Sequence, residues 1–322
     1  MEKLQTKALV EGAIFAGVTA LLGIIYYYSQ YLGIIAMVWP VPVIIVGYRN
    51  GLKASILSAM SAGLIVSLLT QPLVGLGLLI GFGLPGILMG YMINRRVNPY
   101  ITIILCGMVL SLTMVGEFLL SLKAMGIDIV KFFSGIEGTV KEQLEFVINM
   151  YRQFGIAEKE LQQMSDIFNK TMDMFRLLLP SSLMISGLFF SFLDYKLTRL
   201  ILKRIGHVIP DMEEFSKWRL QQPYSFIMLG LMVLAVAVPY LGIYFLTAAA
   251  LNASAVLTLI FTIIGVSVLF HYSRIYGDKQ GIPKALRITL VILIIITFMQ
   301  LIAYVGIFDS MFNLRKLRSS DY

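Results

Sequence analysis

"GLGLLIGFGLPGILMG", residues 75–90, is the stretch on which the fold turns. Gly81, Gly83 and Gly86 stand in the G-x-G-x-x-G spacing. Between a strand and a helix, that spacing lets backbone N–H groups cradle a pyrophosphate, with an acidic residue about 20 positions later to hold a ribose. The setting here is different. No Asp, Glu, Lys or Arg occurs from Ala54 to Asn94, and residues 101–111, "ITIILCGMVLS", contain no acid. The stretch also carries Gly77 and Gly81, and Gly86 and Gly90, as pairs four apart. Inside a bilayer, small residues at that interval let helix backbones approach closely, where packing rather than water exclusion holds helices together. Pro85 removes a backbone donor and bends the helix, leaving a carbonyl open to a neighbour or a ligand. The nucleotide reading fails, and the stretch is a close-packing, proline-bent membrane helix.

Composition extends this to the whole chain. Of 322 residues, 58% are hydrophobic and only 14% charged, and the mean hydropathy is +0.84, outside the range of a soluble domain. A second uncharged run extends from Leu220 to Ser273. Each run accommodates two helices of about 20 residues, the length that crosses the hydrocarbon core. Apolar runs predict helices near 8–28, 32–48, 54–70, 73–93, 99–122, 172–194, 223–246, 249–272 and 286–308, with breakers at Gln71-Pro72, Asn98-Pro99 and Gly281-Ile282-Pro283. The expected fold is all-α, a polytopic integral membrane protein of about eight or nine transmembrane helices in the cell membrane.

Charge placement orients it. The N-terminus has a basic start, an apolar stretch too long for a signal-peptide core and no small-residue cleavage site, so it reads as a retained first helix. With Lys3 and Lys7 cytoplasmic, the loops on that side carry Arg49 and Lys53, then Arg95 and Arg96, then Lys196, Arg199, Lys203, Arg204, Lys217 and Arg219, then Arg274, Lys279, Lys284 and Arg287. The loops near 29–33, 71–72 and 246–250 are uncharged, as the positive-inside rule expects. Nine spans would leave Arg315, Lys316 and Arg318 outside, so either the tail breaks the rule or the span count is wrong.

Two segments are amphipathic. Within 123–171, Val140, Leu144, Val147, Tyr151 and Phe154 form one stripe, Gly155 a stop, and Leu161, Met164, Phe168, Met172 and Phe175 a second stripe. This reads as an external helical hairpin whose second arm runs into the sixth membrane helix, acting as a cap or as a partner-docking arm. Between Lys196 and Arg219, Leu197, Leu200, Ile201, Ile205 and Val208 oppose basic residues. Such a helix lies at the membrane surface facing anionic lipid, or docks a cytoplasmic partner.

Little soluble-enzyme chemistry is available. Cys106 is the single cysteine, so there is no disulfide framework or CxxC pair. His207 and His271 each lack a second ligand for a metal. There is no Walker lysine motif, no nucleophile with a base in reach and no pair of intramembrane acids. No enzyme activity, metal, cofactor or nucleic-acid partner is expected; the lipid bilayer is.

Ionisable residues inside a bilayer are costly, so they point to sites. Glu117, in "LTMVGEFLLSL", lies towards the outer end of the fifth helix and is the first candidate for ligand binding; otherwise it snorkels or pairs with Lys123. Thr113, Gln71 and Asn252 could add hydrogen bonds to a small ligand, or simply join helices, and Trp39 beside Pro40 and Pro42 could form an aromatic wall. Glu11 reads as a partner of Lys7 or as facing the cytoplasmic headgroups, Tyr26 to Tyr28 as an interfacial belt, and Asp194 as an inner helix end. In the first helix Ala8, Gly12, Ala16 and Ala20 form a small-residue face. That face, like the face of Gly77, Gly81, Gly86 and Gly90, awaits a helix of this chain or a separate subunit.

The segments "KALVEGAIFAGVTALL", "VWPVPVIIVGYRNGLKAS" and "GLPGILMGYMINRR" together resemble the S components of energy-coupling factor (ECF) transporters, over roughly residues 1–200. The whole chain resembles the YybS family of predicted bacterial membrane proteins, related to those S components. The resemblance implies a six-helix, vitamin-like solute-binding domain over 1–200. It also implies that the Ala8, Gly12, Ala16 and Ala20 face meets a transmembrane coupling subunit that works with ATPases. The chain departs from that pattern by the insertion at 123–171, and by residues 201–322, with a cytoplasmic linker and about three further helices. Two functions follow as expectations: a membrane-embedded binding protein for a small solute, or a non-transporting scaffold that binds partners in envelope growth or signalling.

Overall fold

A computed structural model of the chain describes residues 6–29, 34–242 and 244–316. All regular structure among them is helical: α1 (Thr6–Tyr28), α2 (Ile34–Val38), α3 (Pro40–Leu69), α4 (Pro72–Leu78), a π-helical segment (Leu79–Gly83), α5 (Leu84–Asn94), α6 (Pro99–Ala124), α7 (Ile129–Gln153), α8 (Glu158–Arg204), α9 (Gln222–Ala237), α10 (Tyr244–Lys279) and α11 (Lys284–Phe312), with short 3-10 turns at Phe215–Lys217 and Val238–Leu241. Lys3 and Arg318 lie outside the described residues.

Eight helices among the described residues are long and apolar enough to cross a membrane, as expected of a polytopic membrane protein. One of them is really two. In a straight α3, Val43 and Ser55 would lie about 18 Å apart, yet Ser55 Oγ donates to Val43 O at 3.0 Å. The chain reverses at Gly51, whose φ of 84° is open to glycine and strained for other residues. Trp39 and Val43 on the descending arm pack with Ala59, Ala62 and Val66 on the ascending one. These are the second and third helices read from the sequence.

Helix ends follow local chemistry. Asn98 accepts from the Tyr100 N–H at 2.9 Å, with Pro99 at the first helical position of α6. Asp128 caps α7 through the Val130 N–H at 2.8 Å. Gly155, at φ 81°, stops α7 where the sequence predicts. Beyond it α8 extends from Glu158 to Arg204, with Pro180 inside it. The basic stretch starting at Lys196 is therefore not a separate surface helix: it is the end of α8, with Tyr195, Thr198 and Leu202 buried.

The chain divides into two compact units. Unit 1 comprises Met1–Met174 and Ser182–Asp211, and unit 2 Phe175–Ser181 and Met212–Tyr322. In unit 1, α1 buries Gly12, Ala16, Thr19, Ala20 and Gly23, and Ala20 joins the cluster of α3 residues around Trp39.

In unit 2, α11 is bent. A straight helix would separate Arg287 and Phe312 by about 38 Å. Yet Arg287 reaches Arg274 O and Asp278 on α10, while Leu314 O accepts from Tyr272 and Arg315 reaches Ser267 on the same helix. The break is at Phe298 (φ −123°, ψ 29°). Beyond it, Gly306 and Gly265 let α11 press onto α10 so closely that a Cβ at either would overlap a backbone carbonyl. The tail thus returns towards the Arg274 end of α10. The basic tail, Arg315 and Lys316, therefore lies towards the same end of α10 as Arg274.

Arg315 is fixed there by its full complement of donors. Its guanidinium bonds Asp309 Oδ2 through Nε (3.1 Å) and Nη2 (2.7 Å), Ser216 O (2.7 Å) and Ser267 Oγ (2.8 Å) through Nη1, and Trp218 O (2.7 Å) through Nη2. Five donors make five bonds, and both side chains of the ion pair are 0% exposed.

Candidate functional site

The opening glycines serve two different neighbours. Gly86 and Gly90 face α3: a Cβ at Gly90 would lie 2.8 Å from Ile44 O and 3.0 Å from Gly47 Cα, and one at Gly86 3.1 Å from Pro40 Cβ. These two hold the bundle together. Gly77 and Gly81 instead face α6, where a Cβ at Gly77 would lie 2.6 Å from Glu117 Oε1 and one at Gly81 would run into Oε2. Gly81 itself lies in the π-helical segment Leu79–Gly83, which separates Gly77 from the Gly86 and Gly90 pair. Its extra residue per turn shifts the angular phase of the helix, and such turns recur at functional sites.

Glu117 thus rests on bare backbone. The carboxylate is half-buried, and among the described residues it forms no hydrogen bond or ion pair. Lys123 is not its partner. One helical turn earlier Thr113 donates to Gly81 O at 2.8 Å, sharing its hydroxyl with Leu110 O at 3.0 Å. This ties α6 to the π segment. On another side of that segment, the fully buried Trp39 ring would lie 3.4 Å from a Cβ at Gly83, and its indole N–H has no partner. The π turn is the element common to Glu117, Thr113 and Trp39.

The remaining sequence candidates are placed elsewhere. Gln71 is exposed at the start of α4, and its side chain makes no cap bond. Asn252 lies in unit 2 with its amide fully engaged. Pro180 interrupts α8, and Asn252 Oδ1 accepts from the Ser181 N–H at 2.8 Å while Nδ2 donates to Leu177 O and Ala248 O, both at 2.7 Å. It therefore closes the ends of the helical bond that would otherwise run from Ser181 to Leu177. Asn252 is a helix patch rather than a ligand group. The small-residue face of α1 is likewise internal, with Gly12, Ala16 and Ala20 buried and only Ala8 half-exposed. Glu11 pairs with Arg49 at 2.9 Å, not with Lys7.

Sequence reasoning missed two features. Asp309 and Arg315 form a buried pair that no periodicity announces. Asp194, which reads from sequence as a helix end without a site role, is buried with Oδ1 lacking a partner, as is Thr198 Oγ1 one turn later. The four-residue interval between them was the available signal. Among the described residues no group of three or more His, Cys, Asp or Glu is placed to hold a metal.

The comparisons with known proteins agree with this architecture. The chain is 30% identical, over 97% of its own length and 98% of the relative's, to the uncharacterized protein YybS of Bacillus subtilis (strain 168). No solved structure matches it. The family described as predicted membrane protein (DUF2232) matches residues 17–310, and the chain belongs to that family.

Proposed function

We propose that the protein is a membrane-embedded binding protein for a small, vitamin-like polar solute, with Glu117 as the group that recognises it. One observation carries this reading: a carboxylate within a membrane-spanning helix, with no partner among the described residues, lies against two glycines where any side chain would displace it. An ionisable group at such depth is expensive unless something compensates it. A solute carrying an amino group or other strong donors would do so, with the glycines letting it approach the backbone. The role is binding rather than catalysis, and an ECF-type coupling subunit with its ATPases would supply the energy for uptake. Such a subunit would need a surface other than Ala16 and Ala20, which are buried within the chain.

Native mass spectrometry of protein extracted in gentle detergent tests this. The wild type should carry a small-molecule mass that Glu117→Gln lacks. Absence of any such mass, or its equal retention in the variant, defeats the proposal.

One observation favours a partner-binding scaffold as second reading. No residue of α7 is buried, and Phe146 and Phe154 are 72% and 76% exposed. If the same spectra show a stoichiometric protein instead of a solute, and deletion of residues 129–153 removes it, the scaffold reading prevails.

A further inference from the structure

Four helix ends of unit 1 meet around a cleft of about 460 Å³, lined by Lys7 of α1, Arg49 and Asn50 at the Gly51 reversal, Asn94 and Arg96 after α5, and His207 after α8. Loop charge predicts this end to be cytoplasmic. The cleft is structurally fixed: Asn94 Nδ2 donates to Tyr48 O at 2.7 Å, the Tyr48 and His207 rings meet edge to face at 5.6 Å, and Tyr195 Oη donates to Pro210 O at 2.7 Å.

Four cations at this end are already engaged. Arg49 pairs with Glu11, Arg95 lies over the Tyr91 ring at 5.5 Å, and Lys196 and Arg199 face Asp211. Lys7 and Arg96 have no acidic partner among the described residues, and both line the cleft. Asn50 adds a buried Nδ2 donor with no partner. Arg96 is held at φ 56°, a left-handed conformation that costs a non-glycine residue energy and clusters at ligand clamps. With Glu11 committed to Arg49, the cleft presents donors and a net positive charge.

We propose that this cleft binds a phosphate group, using Lys7, Arg96 and the Asn50 amide. Phosphate suits the set because it offers several acceptor oxygens and charge to two cations approaching from different helices. Basic clefts between membrane helices on the cytoplasmic side recognise lipid headgroups in this way, and a soluble phosphate compound would present the same group. Val208, at the rim and 88% exposed, gives an acyl chain an apolar edge to follow.

The test uses the full-length protein and two probes. In the first arm, protein in nanodiscs of phosphatidylglycerol and phosphatidylcholine is ejected into a native mass spectrometer; in the second, inorganic phosphate and ATP are titrated against its unfolding midpoint in detergent. Retained phosphatidylglycerol identifies a lipid, and a midpoint rise with a soluble phosphate identifies a free ligand. Whichever signal appears should fall at least tenfold in Lys7→Gln and in Arg96→Gly. Arg96→Gly relieves the left-handed strain, so it should fold at least as well as wild type while losing the phosphate. No signal in either arm, or a signal the variants retain, overturns the proposal.

Discussion

Two carboxylates within apolar helices of this protein have opposite circumstances. Asp309 in unit 2 is wholly buried and accepts three bonds from Arg315, whose other donors are all used. Glu117 in unit 1 lies against Gly77 and Gly81 with no partner among the described residues. A buried charge is stable when paired and hydrogen-bonded, and costly otherwise. The first arrangement is a fastener, complete within the chain; the second is an open valence. Structural polarity and recognition polarity are thus separated by how many bonds each group already has.

The largest effect should come from breaking the fastener. Arg315→Ala should lower the unfolding free energy in mixed micelles by about 3–5 kcal/mol, because it strands Asp309. The double variant Asp309→Leu with Arg315→Met should recover most of that loss. If the single variant costs less than about 1 kcal/mol, the pair is not a fastener.

A smaller loss, about 1–3 kcal/mol, is expected for Gly81→Ala, whose methyl would run into the Glu117 carboxylate. Adding Glu117→Ala should remove most of the penalty; a double variant no more stable than the single would place the carboxylate elsewhere. Asn252→Ala should cost about 1–2 kcal/mol by leaving the Ser181 N–H and Leu177 carbonyl unbonded. Glu117→Gln should cost no stability, because it removes an uncompensated charge, while abolishing solute retention. A large loss of stability in this last variant would make Glu117 a second fastener and erase the contrast.

Much of the architecture is legible in sequence because it rests on local signals. Uncharged runs mark the crossings, Arg49 and Lys53 mark the loop where α3 reverses, and Gly155 marks the end of α7. The site is half legible. Glu117 and Thr113 are one turn apart on one helix, so periodicity pairs them, and intramembrane charge singles out the first. The π turn is invisible, because it is a change of hydrogen-bond register that any apolar sequence can carry. The partners of Trp39, Asn252 and Arg315 are also beyond periodicity. Apolar helices of similar composition do not specify which neighbour they meet, so Asn252 could as well have faced a solute as the break at Pro180.

That break has a consequence for biosynthesis. Ser181 obtains its acceptor from a residue 71 positions further along the chain. At about 5–20 residues per second, ribosomal synthesis separates the two by several seconds or more. The sixth crossing therefore emerges with an open seam that only the later arrival of α10 can close. The first unit can be in the bilayer while this joint is still unmade, which makes Asn252 a checkpoint in the order of assembly.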